Sequence, residues 1–575
     1  MYSDFQVKIP DSHSGISQKT IRGTTYVYYS YSRKYDPVKK YTVAHNTSIG
    51  KIEDPDSGLM IPNQNFFRFF PETETPEQKQ SADRSGCLKI GAYLVLKKII
   101  SGRHLDEIAD RIFGKNSGLF LDLAAYSIIS ENNAGQYYPD YAYNHPLFTE
   151  GMRVYSDSKV SDFIKSITRD QCIAFQNAWN STHDHREKIY ISYDSTNKNC
   201  QAGDIDLVEI GHPKDDQGKP VLNYSIAYGE NNSEPLFYEE YPGSIVDVSQ
   251  LQLMLEKARG YGYEHAGFIL DRGYFSRENI RYMDKCGYDF IIMMKGMKSL
   301  AKELILQVKG TFEDKREYNI RDYGVNGKTV KGRLYASDER DRYFHIYYSD
   351  HRKAHERDAV ETRINRISDF LQSHEGTRID LSGSAFSKYF DLIYYHRGKS
   401  DECFEYGRER TDVVNREIAF CGYFIIITSE KMNAEEALDL YKSRDASEKL
   451  FREDKAYLDN RSMRVSSETA LRSKILIEFT ALIIRNRMHL LLKKRIAESS
   501  SKQNYFTVPA AVRELEKIEM IRQPDNNYRL DHAVTARQKD ILKAFDMNEQ
   551  NIRKQAIQIN NQLTAAEASE KENLA

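Results

Sequence analysis

The order of strand-like and helix-like segments between residues 187 and 295 constrains the fold of this chain most. The segments "KIYISYDST", "VLNYSIAYG" and "PLFYEEYPG" have the residue types of strands, and the helical segment "VSQLQLMLEKARGYG" follows them. The strand-like "HAGFILD", the helix-like "SRENIRYMDKCG" and the strand-like "YDFIIMMK" come next. Antiparallel neighbours followed by alternating helices and strands predict an α/β core built on a mixed sheet.

The chain of 575 residues is too long for one typical hydrophobic core, and its patterns change at several points. Strand-like and then helical patterns precede the α/β segment, and hairpin-like sequences interrupt it before "GYFIIITS" resumes the strand pattern. The predicted division is an N-terminal β and helical region (1–185), the first part of the core (186–295), a β-rich insertion (296–420), the second part of the core (421–500) and a helical C-terminal region (501–575).

The composition argues against several classes of protein. The formal net charge is −2, so the chain as a whole shows no excess of positive charge that would indicate a nucleic-acid partner. The six cysteines form no CxxC pair, which argues against a zinc ribbon and fits a reducing compartment. The longest apolar run, residues 475–484, has ten residues and is therefore typical of a buried helix rather than a membrane span.

A basic helical segment lies between residues 461 and 495, where nine Lys or Arg accompany two Glu. The cations, among them Lys474 and Arg485, are interleaved with apolar residues. Such a segment is either a surface that faces DNA phosphates or an ordinary solvated face of a helix.

Two aspartates directly follow apolar strand patterns. Asp194 comes after "KIYISY", and Asp271 comes after "GFIL". Each of them alone is explained by an ordinary turn that an aspartate caps. Together they favour a site, because acids at the ends of neighbouring strands converge on one crevice of an α/β sheet.

A third acid, Glu448, lies in a segment with helical spacing. On one continuous helix from about residue 433, Arg444, Glu448 and Lys455 share a face with the larger apolar side chains, while the opposite face is charged. Burying ionisable groups costs free energy, so a functional site is one explanation for this face and a structural cluster of ion pairs is the other.

Three carboxylates brought together repel one another unless cations lie between them. Mg²⁺ prefers oxygen ligands and leaves room for water and phosphate oxygens. Two such ions can activate a water molecule and stabilise the leaving oxygen when a phosphodiester is cleaved. Arg444 and Lys455 would suit contacts with phosphate.

The spacing Tyr441-x2-Arg444-x3-Glu448-x6-Lys455 resembles the Y-R-E-K signature of bacterial insertion-sequence transposases of the DDE type, which are related to the IS-four group. "YDSTN" (193–197) resembles the first-acid motif of that family, and "LDRGYFS" (270–276) resembles the second. The resemblance covers roughly residues 187–495.

The resemblance implies an RNase H-like catalytic core that binds two Mg²⁺ (or Mn²⁺) ions and acts on double-stranded DNA, namely the element ends and the target. It further implies a homodimer on DNA, binding of DNA ends by the N-terminal region, and a bacterial cytoplasmic protein that joins the nucleoid when bound. The residues to which it assigns roles are Asp194, Asp271 and Glu448 as the catalytic metal ligands, and Tyr441, Arg444 and Lys455 as contacts to DNA.

Two alternatives share most of these expectations. A metal-dependent nuclease with the same core would cleave DNA without joining it to a target. A DNA-binding protein derived from a transposase would bind DNA without any cleavage, although the intact set of three acids argues against it.

Overall fold

The computed structural model describes the residues of two compact units. Unit 1 combines Met1–Ala178 with Asp454–Ala575, and unit 2 is Trp179–Glu453. The described residues are 2–3, 5–10, 15–21, 23–36, 40–55, 57–73, 84–202, 205–211, 219–245, 247–381, 385–395, 402–458, 462–498 and 504–574.

Unit 1 begins with an antiparallel sheet, as the strand pattern of residues 24–52 predicts. Its elements are β1 (Val7–Lys8), β2 (Ile16–Ile21), β3 (Thr24–Asp36), β4 (Tyr41–Ile52), β5 (Leu59–Pro62) and helix α1 (Gln64–Phe69). The strand order is β1-β5-β4-β3-β2. Val27, Ile49 and Phe66 belong to a small core that the strands and the helix share.

A helical part of unit 1 follows. Its elements are β6 (Cys87–Lys89), α2 (Gly91–Gly102), α3 (Leu105–Phe113), α4 (Ser117–Ser130), α5 (Tyr138–Asn144), α6 (Asp157–Ser166) and α7 (Arg169–Asn180). Helix α4 is apolar on nearly all sides and is buried over most of its length, which is typical of a central helix. Its Asp122 is fully buried, and the carboxylate accepts hydrogen bonds from the N–H groups of Phe148 (2.7 Å) and Thr149 (3.1 Å).

Unit 2 is built on a large mixed sheet, which confirms the predicted α/β class with a mixed sheet and many helices. The strands are β7 (Ile189–Cys200), β8 (Val221–Gly229), β9 (Glu234–Pro242), β10 (Ala266–Leu270), β11 (Asp289–Met293), β12 (Asn319–Ile320), β13 (Val325–Gly332), β14 (Arg342–Tyr348), β15 (Phe390–Tyr395), β16 (Cys403–Glu409) and β17 (Tyr423–Thr428). The strand order is β12-β13-β14-β17-β11-β10-β7-β8-β9. Strand β10 is parallel to β7 and β11, and the pairs β7–β8 and β8–β9 are antiparallel.

Helices cover this sheet and extend beyond it. They are α8 (Asp247–Gly260), α9 (Arg277–Cys286), α10 (Lys298–Val308), α11 (Asp350–Ser373), α12 (Thr411–Ile418), α13 (Ala434–Ser443) and α14 (Asp445–Tyr457). The strands β10 and β11 bury almost all of their side chains, as expected for strands that are covered on both faces. The hairpin β15–β16 packs with α11 and α12 around a separate small core that includes Ile364, Leu371 and Phe404.

The last segments of the chain complete unit 1. They are β18 (Ser462–Met463), α15 (Glu468–Glu498), α16 (Val508–Leu515), β19 (Glu519–Arg522), β20 (Tyr528–Leu530), α17 (Ala536–Ala544) and α18 (Glu549–Leu574). Strand β19 pairs with both β20 and β6, so unit 1 joins distant parts of the sequence in one sheet.

Helix α15 contains the apolar run 475–484, which is buried as predicted. Lys474 and Arg485 on the same helix are also buried, at 6% and 1% exposure, so neither of them lies on a solvated or DNA-facing surface. None of the helices within the described ranges combines the length and the apolar character that a membrane span requires.

Candidate active site

The register of two parallel strands places Asp194 and Asp271 side by side. Strand β10 ends at Leu270, which lies opposite Tyr193 of β7, and each aspartate is the next residue along its own strand. The expectation that Asp194 ends its strand is wrong, because β7 continues to Cys200 along its antiparallel neighbour β8. Asp194 instead marks the point at which the parallel neighbour stops.

Backbone amides orient both aspartates. The N–H of Ser195 donates to Oδ1 of Asp194 at 2.8 Å, and the N–H of Gly273 donates to Oδ2 of Asp271 at 3.4 Å. The second bond closes a tight turn directly after β10, which is why a glycine two residues after the acid suits this position. Each of these two bonds involves only one of the two oxygens of its carboxylate.

Two helices, rather than the single one predicted from residue 433, carry the third acid. Helix α13 ends at Ser443 and α14 begins at Asp445, so Arg444 lies at the junction. In the last turn of α13, the Ser443 hydroxyl donates to the carbonyl oxygen of Leu440 at 2.7 Å, a local bond that competes with regular helix geometry. Because a helical wheel assumes one straight axis, it fails beyond this junction: Glu448, expected on the apolar face, is exposed.

Arg444 brings the three acids together around one guanidinium. Its Nη2 lies 2.6 Å from Oε1 of Glu448 and 3.9 Å from Oδ1 of Asp271, and its Nη1 lies 3.8 Å from Oδ2 of Asp194. The side chain of Arg444 is 13% exposed, whereas those of Asp194, Asp271 and Glu448 are 18%, 38% and 50% exposed. We call these four residues the carboxylate cluster.

Tyr441 supports the guanidinium from the apolar side. The Arg444 guanidinium carbon lies 5.6 Å from the centre of the Tyr441 ring, and the ring is buried with Ile269 and Ile426. Burial raises the pKa of the Tyr441 hydroxyl to about 12. Burial also lowers the pKa of Arg444, but Tyr441 and the three carboxylates outweigh this effect and raise it above the ordinary value, so the arginine stays charged.

The structure therefore brings together five of the six residues singled out from the sequence. The sixth, Lys455, lies about two turns beyond Glu448 on α14, in the segment that belongs to unit 1.

The chemistry of the carboxylate cluster fits a divalent metal ion. Three carboxylates and one guanidinium carry a net charge of −2, and carboxylate oxygens are the ligands that Mg²⁺ and Mn²⁺ prefer. In the described part of the chain, no three His, Cys, Asp or Glu side chains lie close enough together to hold a metal ion. Metal binding would thus require the three carboxylates to turn from Arg444 toward a common point.

The comparisons with known proteins bear on this geometry. The family model described as "Transposase DDE domain" matches residues 193–484, a range that begins one residue before Asp194 and includes the whole carboxylate cluster. The chain belongs to this transposase family. No curated protein matches the chain.

Membership in the family implies a metal-dependent enzyme that cleaves DNA, and therefore a protein that binds DNA and takes part in transposition. Transposases with a DDE domain generally use divalent metal ions, which agrees with the donor set of the carboxylate cluster.

One acidic residue of the transposase near the helix junction was missed by sequence reasoning. Glu230 follows β8, and burial raises the pKa of its carboxyl group to about 7, although a hydrogen bond with Ser443 lowers it. Asp445 on the other side of Arg444 raises the pKa further. In sequence, "YGENNSE" reads as a turn, and nothing local in it indicates that the acid lies beside the junction.

Proposed function

We propose that this transposase cleaves the ends of an insertion sequence and joins them to target DNA by phosphodiester chemistry with two divalent metal ions, Mg²⁺ or Mn²⁺. The carboxylate cluster carries the proposal, because it collects three partly exposed carboxylates around one guanidinium that is 13% exposed. We assign Asp194, Asp271 and Glu448 to the metal ions, and Tyr441, Arg444 and Lys455 to the DNA phosphates near the cleaved end.

The sheet supports an RNase H-like core for this chemistry. Three antiparallel strands (β7, β8 and β9) precede a helix and two strands that are parallel to β7, and the first two acids lie side by side at the point where β10 ends beside β7. This arrangement places Asp194 within β7 and Asp271 directly after β10, whereas Glu448 comes from a helix that begins at the junction after α13.

The metal ions, when bound, supply an activated water and stabilise the leaving oxygen. The chain contributes the positions of the groups around them. When the carboxylates turn toward the ions, Arg444 loses its carboxylate partners, and its planar guanidinium can then bind a phosphate oxygen through paired N–H groups. The Tyr441 ring holds the guanidinium in place during this exchange.

Cleavage of one strand leaves a 3′-hydroxyl, and this hydroxyl attacks a phosphodiester of the target in line. The bond to the target forms as the target's own bond breaks, so no covalent protein–DNA bond is needed. Because two ends must be held together for this step, we further propose that a homodimer acts on the DNA and that the N-terminal region binds the ends.

The experiment that tests the proposal compares the unmodified protein with the variant Glu448→Gln. Labelled linear DNA that carries the element's own ends is incubated with Mg²⁺ and a target plasmid. The proposal predicts cleavage at the end boundary and joined products with the unmodified protein, and neither with Glu448→Gln. The variant Glu435→Gln changes an exposed glutamate on α13 in the same way and should keep full activity.

The other outcomes separate the alternatives. Cleavage without joined products indicates a nuclease. Binding without cleavage by the unmodified protein indicates a DNA-binding protein without enzymatic activity. Unchanged cleavage by Glu448→Gln removes Glu448 from the set of metal ligands.

A further inference from the structure

The outer halves of β3 and β4 form a two-stranded ribbon that is exposed on both faces. Residues 32–36 pair with residues 41–45 in antiparallel register, for example Arg33 with Ala44 and Lys34 with Val43. Consecutive residues of a strand point to opposite faces, and all of residues 31–35 are exposed, so neither face of the ribbon is covered. We call residues 31–35 and 40–46 the β-ribbon.

The inner halves of the same strands behave differently. There, Val27 and Ile49 are fully buried in the small core of the sheet. Tyr31 marks the transition, since its ring stacks on Phe69 of α1 with 5.5 Å between the ring centres. The sheet therefore holds the base of the β-ribbon at Tyr31, while residues 32–35 lie outside the core.

The exposed side chains of the β-ribbon are cationic and aromatic. Arg33, Lys34 and Lys40 supply positive charge. Residues 31–46 contain four Lys or Arg against one Asp, although the whole chain has a net charge of −2. Positive charge is thus concentrated in the segment that contains the ribbon, as in surfaces that contact nucleic acids. The exposed aromatic side chains are Tyr31 (50%), Tyr35 (60%) and Tyr41 (57%).

The dimensions of a two-stranded ribbon match one groove of DNA. A ribbon with side chains on both faces is roughly 10 Å thick, the distance at which stacked sheets pack. The major groove of B-form DNA is about 12 Å wide and admits such a ribbon, whereas the minor groove is only about 6 Å wide. Arg33 and Lys34 are consecutive and lie on opposite faces, so the ribbon presents cations to both walls of a groove.

We propose that the β-ribbon enters the major groove of double-stranded DNA. Arg33, Lys34 and Lys40 contact the phosphates on the two sides of the groove. The tyrosines contact sugars and base edges with their rings and hydroxyl groups. The inference rests on the proposed function in that it takes DNA as the partner, and it names an element of unit 1 that binds this DNA.

The test measures binding of the full chain to a short, fluorescently labelled DNA duplex of mixed sequence over a series of salt concentrations. The ribbon variant combines Arg33→Ala, Lys34→Ala and Lys40→Ala. The control variant combines Lys543→Ala, Arg553→Ala and Lys554→Ala, which removes the same charge from exposed positions of α17 and α18. Circular dichroism establishes that both variants are folded.

Each lost phosphate contact lowers the salt dependence of log K by about 1. We therefore expect the slope of the ribbon variant to be smaller by roughly 2 to 3 than that of the unmodified protein, since three contacts are lost. The control variant should keep the slope of the unmodified protein. Methylation of guanine N7 in the major groove should interfere with binding of the unmodified protein and not with that of the ribbon variant.

Equal slopes for the ribbon and control variants would overturn the inference. A preference of the ribbon for duplex RNA over DNA of the same sequence would also overturn it, because side chains cannot read the deep, narrow major groove of RNA. These outcomes are independent of the proposed function, since loss of cleavage in Glu448→Gln concerns the carboxylate cluster alone and the salt dependence concerns the ribbon alone.

Discussion

Asp122 in unit 1 and the acids of the carboxylate cluster in unit 2 show two opposite ways to place a carboxylate in a protein. Asp122 has no exposed surface, and two backbone N–H groups donate hydrogen bonds to its carboxylate oxygens. Gly118 lies one turn earlier on α4 and permits this close packing, because a Cβ atom there would lie 2.5 Å from the carbonyl oxygen of Phe148. Burial raises the pKa of Asp122 to about 7, even though the two amides lower it.

The cluster acids are instead partly exposed and share one charged partner. Asp194, Asp271 and Glu448 contact the side chain of Arg444, and their carboxylates can turn from it toward a ligand. Burial alone therefore does not indicate function. An acid whose partners are fixed amides stabilises the fold, and an acid whose partner is an exchangeable cation is available to a ligand.

The largest effect that distinguishes the two kinds of acid is on catalysis. We expect Asp194→Asn to reduce DNA cleavage by at least about a thousandfold, which corresponds to about 4 kcal/mol in the activation barrier. Urea unfolding of the variant should match that of the unmodified protein, because the amide keeps the size of the side chain. Asp358→Asn, at an exposed position of α11, is the matched control and should cleave normally. If Asp194→Asn cleaved DNA normally, Asp194 would have a structural role, as Asp122 does, and not a catalytic one.

Stability should depend on pH through Asp122. Its pKa is raised from 3.8 to about 7, so between these values the unfolded chain releases a proton that the folded protein keeps. The stabilising contribution is therefore complete below about pH 4 and is lost as the pH rises through 7, by about 3–4 kcal/mol for a shift of this size.

The variant Asp122→Asn has no proton to release. It gives up one of the two hydrogen bonds and is less stable at low pH, but its stability should not fall between pH 4 and 8. Hydrogen exchange of the α4 amides, corrected for the intrinsic pH dependence, measures the difference. If the stability of the two proteins changed with pH in the same way, Asp122 would not be the source of the pH dependence.

Glu230 is an intermediate case, since it is half-buried, unlike the fully buried Asp122, and lies beside the helix junction of the cluster. Burial raises its pKa from 4.5 to about 7, so it should destabilise unit 2 progressively as the pH rises through this interval. We expect the free energy of unfolding of the unmodified protein to fall by about 2–3 kcal/mol between pH 5 and 8 because of Glu230, and Glu230→Gln should not show this decrease. Hydrogen exchange in the last turn of α13 reports the effect, and an unchanged pH profile there would show that Glu230 does not influence the junction.

The smallest effect concerns Arg444. The variant Arg444→Gln leaves the three carboxylates without their shared cation. In the absence of metal ions, we expect its free energy of unfolding to be lower by about 1 kcal/mol, a small effect because the carboxylates are partly exposed. Mg²⁺ should then raise the melting temperature of this variant more than that of the unmodified protein. Arg352→Gln, which breaks an ion pair with Glu356 on the surface of α11, should show no such added response to Mg²⁺. Equal responses in all three proteins would argue against metal binding at the cluster.

The strands and helices of unit 2 were predictable because their patterns are local. The segments that become β7 to β11 show alternation or short apolar runs between turn residues, and the antiparallel and parallel pairings follow from the order of elements. The mixed sheet could therefore be inferred without any long-range information.

The details that form the site were harder to predict, because they depend on neighbours. The length of β7 depends on β8, which pairs with it as far as Asn199. The residue types after Asp194 do not indicate that the strand continues. The junction at Arg444 contains neither Gly nor Pro, so the sequence gives no sign that the helix is broken there. The resemblance to a family predicted a shared site for the three acids, which do lie around one arginine, but the sequence did not indicate that Arg444 is their shared partner.

The pairing of β19 with β6 has a consequence for how the protein is made. Unit 1 is assembled from both sides of unit 2 in the sequence, and the three-stranded sheet β20-β19-β6 joins segments that are more than four hundred residues apart. During synthesis, unit 2 can fold as soon as its own residues have left the ribosome, whereas the early strand β6 must wait for the late strand β19. A chain that terminates anywhere before β19 would therefore carry an incomplete unit 1, even when every residue of the carboxylate cluster has been translated.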